Sequence, residues 1–293
     1  MTRAACAFPA PPEGDPWITR APPGVPGHEQ VVDGVPELPD VEAYRRVLAS
    51  CARGRRIVRV EVHDTGVLRN VSASRLRRTL EGARFGEPER RGKWLLARTD
   101  GPTVLLHFGM TGALGCHALD EPPHAHERVT FTVTGGRQLR YRDQRKLKGL
   151  WLADDAMVSR TLEGQGPDAA TVSRADFEAI LDKRRGGVKS LLMDQTALAG
   201  LGNLLADEVL WRSRVHPARR VDKLSGEERR RLYTDMRRTL RSAIEAGRVP
   251  PRPSWLTGHR DDEAPACPRC GEPLAHSHVA GRGTVRCPRC QPE

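Results

Sequence analysis

Four cysteines near the end of the chain, Cys267-Pro-Arg-Cys270 and, sixteen residues later, Cys287-Pro-Arg-Cys290, constrain the local fold more tightly than any other feature. Two such pairs on β-turn knuckles bring four thiolates to the corners of a tetrahedron, the arrangement zinc prefers. A closed four-sulfur site leaves no position open for water, so the expectation is one structural zinc ion shaping a hairpin over residues 265–293. A redox dithiol is the competing reading of the same pairs. The other cysteines, Cys6, Cys51 and Cys116, fit no pattern and are read as incidental.

The chain has 293 residues, enough for two or three modules with at least one substantial core. Its formal charge of +11 and pI near 9.8 point to an anionic partner, nucleic acid before a membrane surface. Against the membrane, the sequence holds no apolar run of spanning length and its mean hydropathy is −0.54. The start lacks the basic onset and long apolar centre of a secretion signal, so the chain is read as cytoplasmic and nucleoid-associated. Residues 1–35 carry seven prolines and four glycines with two arginines against four acids, a composition expected to form a disordered extension that does not grip DNA.

From Pro36 the pattern changes. Val41, Tyr44, Leu48 and Cys51 recur at helical spacing and Gly54 offers a stop. Val58, Val60 and Val62 then alternate with polar residues. Asp100-Gly101 and Gly135-Gly136 separate apolar runs, as hairpin turns do. Beyond residue 160 the spacing is helical, most clearly from Ser225, whose hydroxyl and Glu228 form a capping box ahead of Leu232, Met236, Leu240 and Ile244, up to Gly247. The expected architecture is α+β. A β-sandwich with a flanking helix spans 36–155, a helical domain 160–250, a linker 251–264, and the zinc hairpin 265–293.

Ala199-Gly-Leu-Gly-Asn203, followed by Leu204-Leu-Ala-Asp-Glu208, is a glycine-bearing turn ahead of a helix. It presents backbone N–H groups and a helix N-terminus, both good phosphate ligands. A plain turn whose glycines relieve crowding explains this segment equally well.

Several motifs fall in a recognisable order: Pro36-Glu-Leu-Pro-Asp-Val-Glu42, Gly92-Lys93-Trp94, His107-Phe-Gly-Met-Thr-Gly112, Asp143-Gln-Arg145, Leu192-Met-Asp194, the Gly202-Asn203 turn, and Gly281-Arg282-Gly-Thr284. Together, from Pro36 to Gln291, the chain resembles the formamidopyrimidine-DNA glycosylase and endonuclease VIII family. The resemblance implies a helix-two-turn-helix domain between sandwich and zinc hairpin, and a monomeric base-excision repair enzyme acting on duplex DNA with a damaged base or abasic site. Pro36 would attack the sugar C1′ through a secondary amine and form a Schiff base, after which the base leaves and the strand is cut. Glu37 would act as general acid and base beside the sugar. Lys93, His107, Asn203 and Arg282, with Lys189 as a further contact, would hold phosphates around the everted nucleotide. Met110 and Arg145 would fill the gap it leaves, with Leu147 where the family often has a Phe.

Two departures matter. Inside the chain the Pro36 nitrogen is a tertiary amide and cannot attack, so the proline route requires that the working protein start there. Val35 directly precedes the motif, as a valine start codon read as internal would place it. With the extension retained, the chain would be a silent damage-binding protein or would use another amine such as Lys93. The stretch from Gly247 to Cys267 is also short for a lesion-capping loop, which favours the endonuclease VIII side, while Pro36-Glu-Leu-Pro favours the formamidopyrimidine side. A third class, a basic RNA-associated module, lacks an aromatic stacking platform: 4% of residues are aromatic.

Overall fold

The computed structural model describes residues 35–293, which belong to one compact unit. The expected extension, Val35 apart, lies outside the described residues. Helix α1 (Leu38–Ala52) starts where Pro39 sets the first turn and ends before Gly54 at φ 74, a left-handed position that glycine takes without strain. Val41, Tyr44, Leu48 and Cys51 form its buried face, as their spacing predicts.

Two four-stranded antiparallel sheets follow. One runs in the order β1 (Ile57–Val62), β6 (Glu127–Val133), β7 (Arg137–Arg142), β5 (Ala113–Ala118). The other runs β2 (Glu89–Arg91), β3 (Trp94–Ala97), β4 (Thr103–His107), β8 (Gly149–Ala153). They face each other across a core in which Leu95 and Leu106 meet Val60, Val129, Phe131, Leu139 and Tyr141, with α1 and α2 (Ala73–Leu80) sealing its flanks. Leu96 and Leu105 point the other way and are covered by α3 (Asp155–Glu163) through Val158. The Gly135-Gly136 turn has both residues at positive φ, as a tight hairpin twisting with its strands requires.

The alternation expected of Val58, Val60 and Val62 fails at its first member. A register shift between Ile57 and Arg59 puts Ile57 and Val60 in the core and leaves Val58 57% exposed. A bulge inserts one residue and so reverses the phase.

Helices α4 (Arg174–Asp182), α5 (Val188–Met193), α6 (Asn203–Arg212) and α7 (Gly226–Ala246) build a second core around Phe177, Leu192, Leu205, Leu232 and Met236. Helix α7 is capped as expected: Ser225 Oγ accepts from Glu228 N–H, the Glu228 carboxylate accepts from Ser225 N–H at 2.7 Å, and Gly247 closes the helix at φ 72. The hairpin of β9 (Ala275–Val279) and β10 (Arg282–Arg286) packs Leu274 and Val285 onto Trp211 of α6.

Two further readings need correction. Cys51 and Cys116, taken as incidental, form a disulfide joining the end of α1 to β5; their 65-residue separation hid a contact that only the packing of α1 on the sheet creates. The segment 251–264, read as a linker, is anchored: Trp255 enters the helical core and Leu256 the hairpin core. Burying two such side chains stabilises by roughly 1.5–3 kcal/mol each, so the segment is held rather than free. Glu208 fixes it further, accepting from Thr257 N–H at 3.1 Å.

Candidate active site

Glu37 is the N-cap of α1, but its side chain turns away from that helix and reaches the start of α6. One carboxylate oxygen accepts from Gly202 N–H at 2.7 Å and Leu205 N–H at 3.3 Å, the other from Leu204 N–H at 2.8 Å. The unpaired donors and positive dipole end of a helix thus hold a fully buried acid. Glycine is obligatory beside it, since a Cβ on Gly202 would lie 2.3 Å from Glu37 Cδ. Burial raises the Glu37 pKa, against the pull of Lys93 and the three N–H donors. Burial thus makes the carboxyl group hold its proton more readily than an exposed glutamate does, as a group that both gives and takes a proton requires.

Pro36 is buried next to it, while Val35 is 42% exposed. Glu37 N–H donates to Asp40 at 2.9 Å, and burial pushes Asp40 up to about 7. Lys93 stands on the turn between β2 and β3. Burial lowers its pKa, and the charges of Glu37 and Asp40 oppose that shift. The structure thus brings Pro36, Glu37 and Lys93 into one neighbourhood.

His107 ends β4 opposite Trp94, its ring edge-on to the indole at 4.9 Å. Its Nδ1 accepts from Gly109 N–H at 3.1 Å, which leaves the proton on Nε2. Burial, then the charges of Lys148 and Lys93, lower its pKa to about 4, so it offers a neutral N–H donor to an anion. Met110 and Arg145 meet, with the guanidinium 3.0 Å from Sδ. Asp143 organises their loop by accepting from Thr111 Oγ1 at 2.7 Å and from the backbone N–H of Arg145 and Lys146. Beside them Leu147 is 52% exposed.

Asn203 begins α6 and donates from Nδ2 to the Gly283 carbonyl at 2.9 Å, fastening the hairpin; its Oδ1 is buried without a partner. Arg282 is exposed at the hairpin tip, close enough for its charge to act on Lys93. Lys189 does not fit the role expected of it. It is fully buried, 2.6 Å from Asp207 and donating to Thr284 Oγ1 at 2.6 Å, so its ammonium joins α5, α6 and β10 instead of facing a phosphate.

The four cysteines converge, with all sulfur atoms within 4.8 Å of one another and pairs at 3.5 and 3.9 Å. Zinc bound at about 2.3 Å by four sulfurs separates them by roughly 3.8 Å, so this set fits such an ion. Trp211 Nε1–H donates to Cys267 Sγ at 3.3 Å, supplying the outer partner that thiolate ligands take. These residues can hold a metal ion.

Sequence reading missed the pair that joins the two halves, Arg90 and Asp168, and did not foresee what Asp207 and Glu208 of the turn motif would bind, Lys189 with the hairpin and Arg212 with Thr257. Acids and arginines abound in this chain, and pairs remote in sequence carry no local pattern.

Comparison with known proteins agrees with this geometry. The formamidopyrimidine-DNA glycosylase N-terminal domain matches residues 35–150, and the H2TH domain of the same enzymes matches 164–251. A formamidopyrimidine-DNA glycosylase of Bacillus subtilis (strain 168) is 34% identical over 276 residues, covering 88% of this chain and 99% of the relative. The Lactococcus lactis Fpg in complex with DNA containing an abasic site superposes with a TM-score of 0.78 at 30% identity, covering 88% of this chain and 100% of that one. A MutM structure with carbocyclic 8-oxo-G containing DNA gives a TM-score of 0.79 at 29% identity with the same coverage. A sandwich joined to an H2TH domain around a buried acid is the build of a base-excision DNA glycosylase. The chain belongs to the formamidopyrimidine-DNA glycosylase family. No helix among the described residues is long and apolar enough to cross a membrane.

Proposed function

We propose that this chain is a bifunctional DNA glycosylase and abasic-site lyase that removes oxidised bases from duplex DNA through a Schiff base on Pro36. Family membership makes it a DNA glycosylase of base excision repair, hence an enzyme. The observation that carries the fuller reading is the Glu37 carboxyl group, raised in pKa, held by the N-terminus of α6 and adjacent in sequence to Pro36. A free proline α-amine has a pKa of roughly 8, so a useful fraction is nucleophilic at neutral pH. Its lone pair attacks C1′ as the glycosidic bond breaks, and Glu37 supplies and recovers the proton at the opening sugar ring. Lys93, neutral His107, Asn203 and Arg282 hold the flanking phosphates. Met110, Arg145 and Leu147 occupy the space of the everted nucleoside. The cysteine cluster holds one structural zinc ion, and the enzyme works as a cytoplasmic monomer on nucleoid DNA. Because the relatives are named for formamidopyrimidine, ring-opened and 8-oxo purines are the first lesions to assay.

The proline route needs an unblocked nitrogen. In support, the family match begins at residue 35 and 88% of this chain accounts for 99% of a relative. Terminal sequencing of protein from its native cells is expected to start at Pro36, and borohydride is expected to trap that form on abasic DNA. Absence of an adduct from a chain beginning at Pro36 sinks the reading and leaves a damage-binding protein. A second reading has one observation in its favour: burial lowers the Lys93 pKa, which frees part of its amine. Peptide mapping of an adduct formed by the full chain would then find Lys93.

A further inference from the structure

We infer that Asp168 is a positioning residue for this reaction, fixing where Lys93 stands relative to Glu37; the inference rests on the lyase reading above. Among the described residues Lys93 makes no hydrogen bond or ion pair, so its place depends on the turn that carries it. That turn is held from the helical half of the molecule. Asp168 Oδ2 accepts from Gly92 N–H at 2.7 Å and from Arg90 at 2.6 Å, while Oδ1 accepts from Ala170 N–H at 2.9 Å. The other side of Arg90 donates to Glu42 on α1 at 3.1 Å, so one buried guanidinium links the helix that follows Pro36 to Asp168. Gly92, at φ 56, sits so close to Ala199 that an added Cβ would lie 2.8 Å from the alanine's own. The turn is wedged between Asp168 and Ala199.

The same piece of backbone holds Glu37. Ala199 N–H donates to Pro167 and Ala169 N–H to Ala199, each at 2.9 Å, pairing the two segments. Directly beyond, Gly200 accepts from Leu38 N–H at 3.1 Å and Gly202 N–H donates to Glu37. Lys93 and Glu37 both belong to the sandwich half, yet one short rail of the helical half sets the position of each. An interdomain tie alone would need only the Arg90–Asp168 ion pair. Beyond that pair, the bond from Asp168 to the Gly92 amide fixes the backbone immediately before Lys93 and so aims it.

The test uses whichever form of the protein traps with borohydride, in the wild type and as Asp168→Ala, Asp168→Asn and Asp168→Glu. Three quantities are measured: the single-turnover rate of adduct formation on abasic duplex, Kd for a duplex with a non-reactive abasic analogue, and Tm. Asp168→Ala is expected to slow trapping about 10- to 100-fold while weakening Kd by a smaller factor, since a misplacement near 1 Å costs rate far more than binding. Asp168→Asn, which keeps an acceptor for the Gly92 amide, is expected to stay within about fivefold of wild type; this comparison stands even if the alanine variant fails to fold. Equal trapping rates in all four proteins overturn the inference. So does a rate loss in Asn as large as in Ala that tracks Kd and Tm, the signature of a mere tie. A wild type that traps nothing removes the lyase reading and this inference with it, which no Asp168 variant can do.

Discussion

Two side chains beside the site titrate far from their ordinary values and in opposite directions. Burial, aided by the Glu37 charge and opposed by Glu37 N–H and Arg248, carries Asp40 up to about 7. Between its unfolded value of 3.8 and about 7 the folded state binds the extra proton, so the stability Asp40 contributes is full in acid and is lost as pH rises through that window. His107 is the reverse. Its pKa falls from 6.5 to about 4, so its contribution is present above 6.5 and lost as pH falls towards 4. Melting curves from pH 4 to 8 are expected to show Asp40→Asn removing a fall in stability as pH rises from 4 to about 7, and His107→Asn removing a fall as pH drops from 6.5 towards 4. Unchanged slopes in both would refute the burial argument. Glu37 and His107 stood out in the sequence as candidates, but the direction of their pKa shifts was not legible there, because it depends on which helix end or lysine lies opposite.

At the scale of elements, α1 is fixed at both ends. Glu37 at its start reaches the N-terminus of α6, and Cys51 near its end is bonded to β5. Closing a loop of 65 residues restricts the unfolded chain by roughly 4 kcal/mol in the chain-entropy view. Reductant, or Cys116→Ser, is therefore expected to lower Tm by several degrees while leaving the trapping rate at 25 °C nearly unchanged. Thiol titration of denatured, unreduced protein checks that the bond is present. Identical melting with and without reductant would show that it adds no stability. Helix α7 was readable to its caps because Ser225, Glu228 and Gly247 act on their own neighbours. The phase of β1 was not, because a bulge is a decision of the partner strand β6.

Across the whole molecule, α6 is the common support. Its first turn holds Glu37 and Asn203, its middle holds Asp207 with buried Lys189 and the hairpin backbone at Val285, and its end lays Trp211 against Cys267 and under the Arg269 guanidinium at 4.3 Å. Loss of the hairpin would expose Trp211 and strip Thr284 and Val285 from the Lys189–Asp207 pair. Each hydrogen bond to a charged group lost in this way costs roughly 1.5–3 kcal/mol. A strong chelator, or Cys287→Ala, is expected to release one zinc per chain, shift tryptophan emission to the red, and weaken binding to damaged duplex at least tenfold by fluorescence anisotropy. Binding that survives zinc loss would separate the hairpin from recognition.

The sequence alone determined the class of fold, the four cysteines that converge into a set able to hold a metal ion, the capped helices, and the ordered motifs that resemble one family, because each is written in neighbours a few residues apart. Tertiary structure decided what those residues are to one another. It turned Lys189 from a phosphate ligand into a buried strut, the supposed linker into an anchored segment, two stray cysteines into a crosslink, and an unremarked Asp168 into the rail beneath Lys93. The physical reason is shared: charge, burial and crosslinking are set by what lies across a packed interface, and nothing in a one-dimensional spacing records which distant segment that will be.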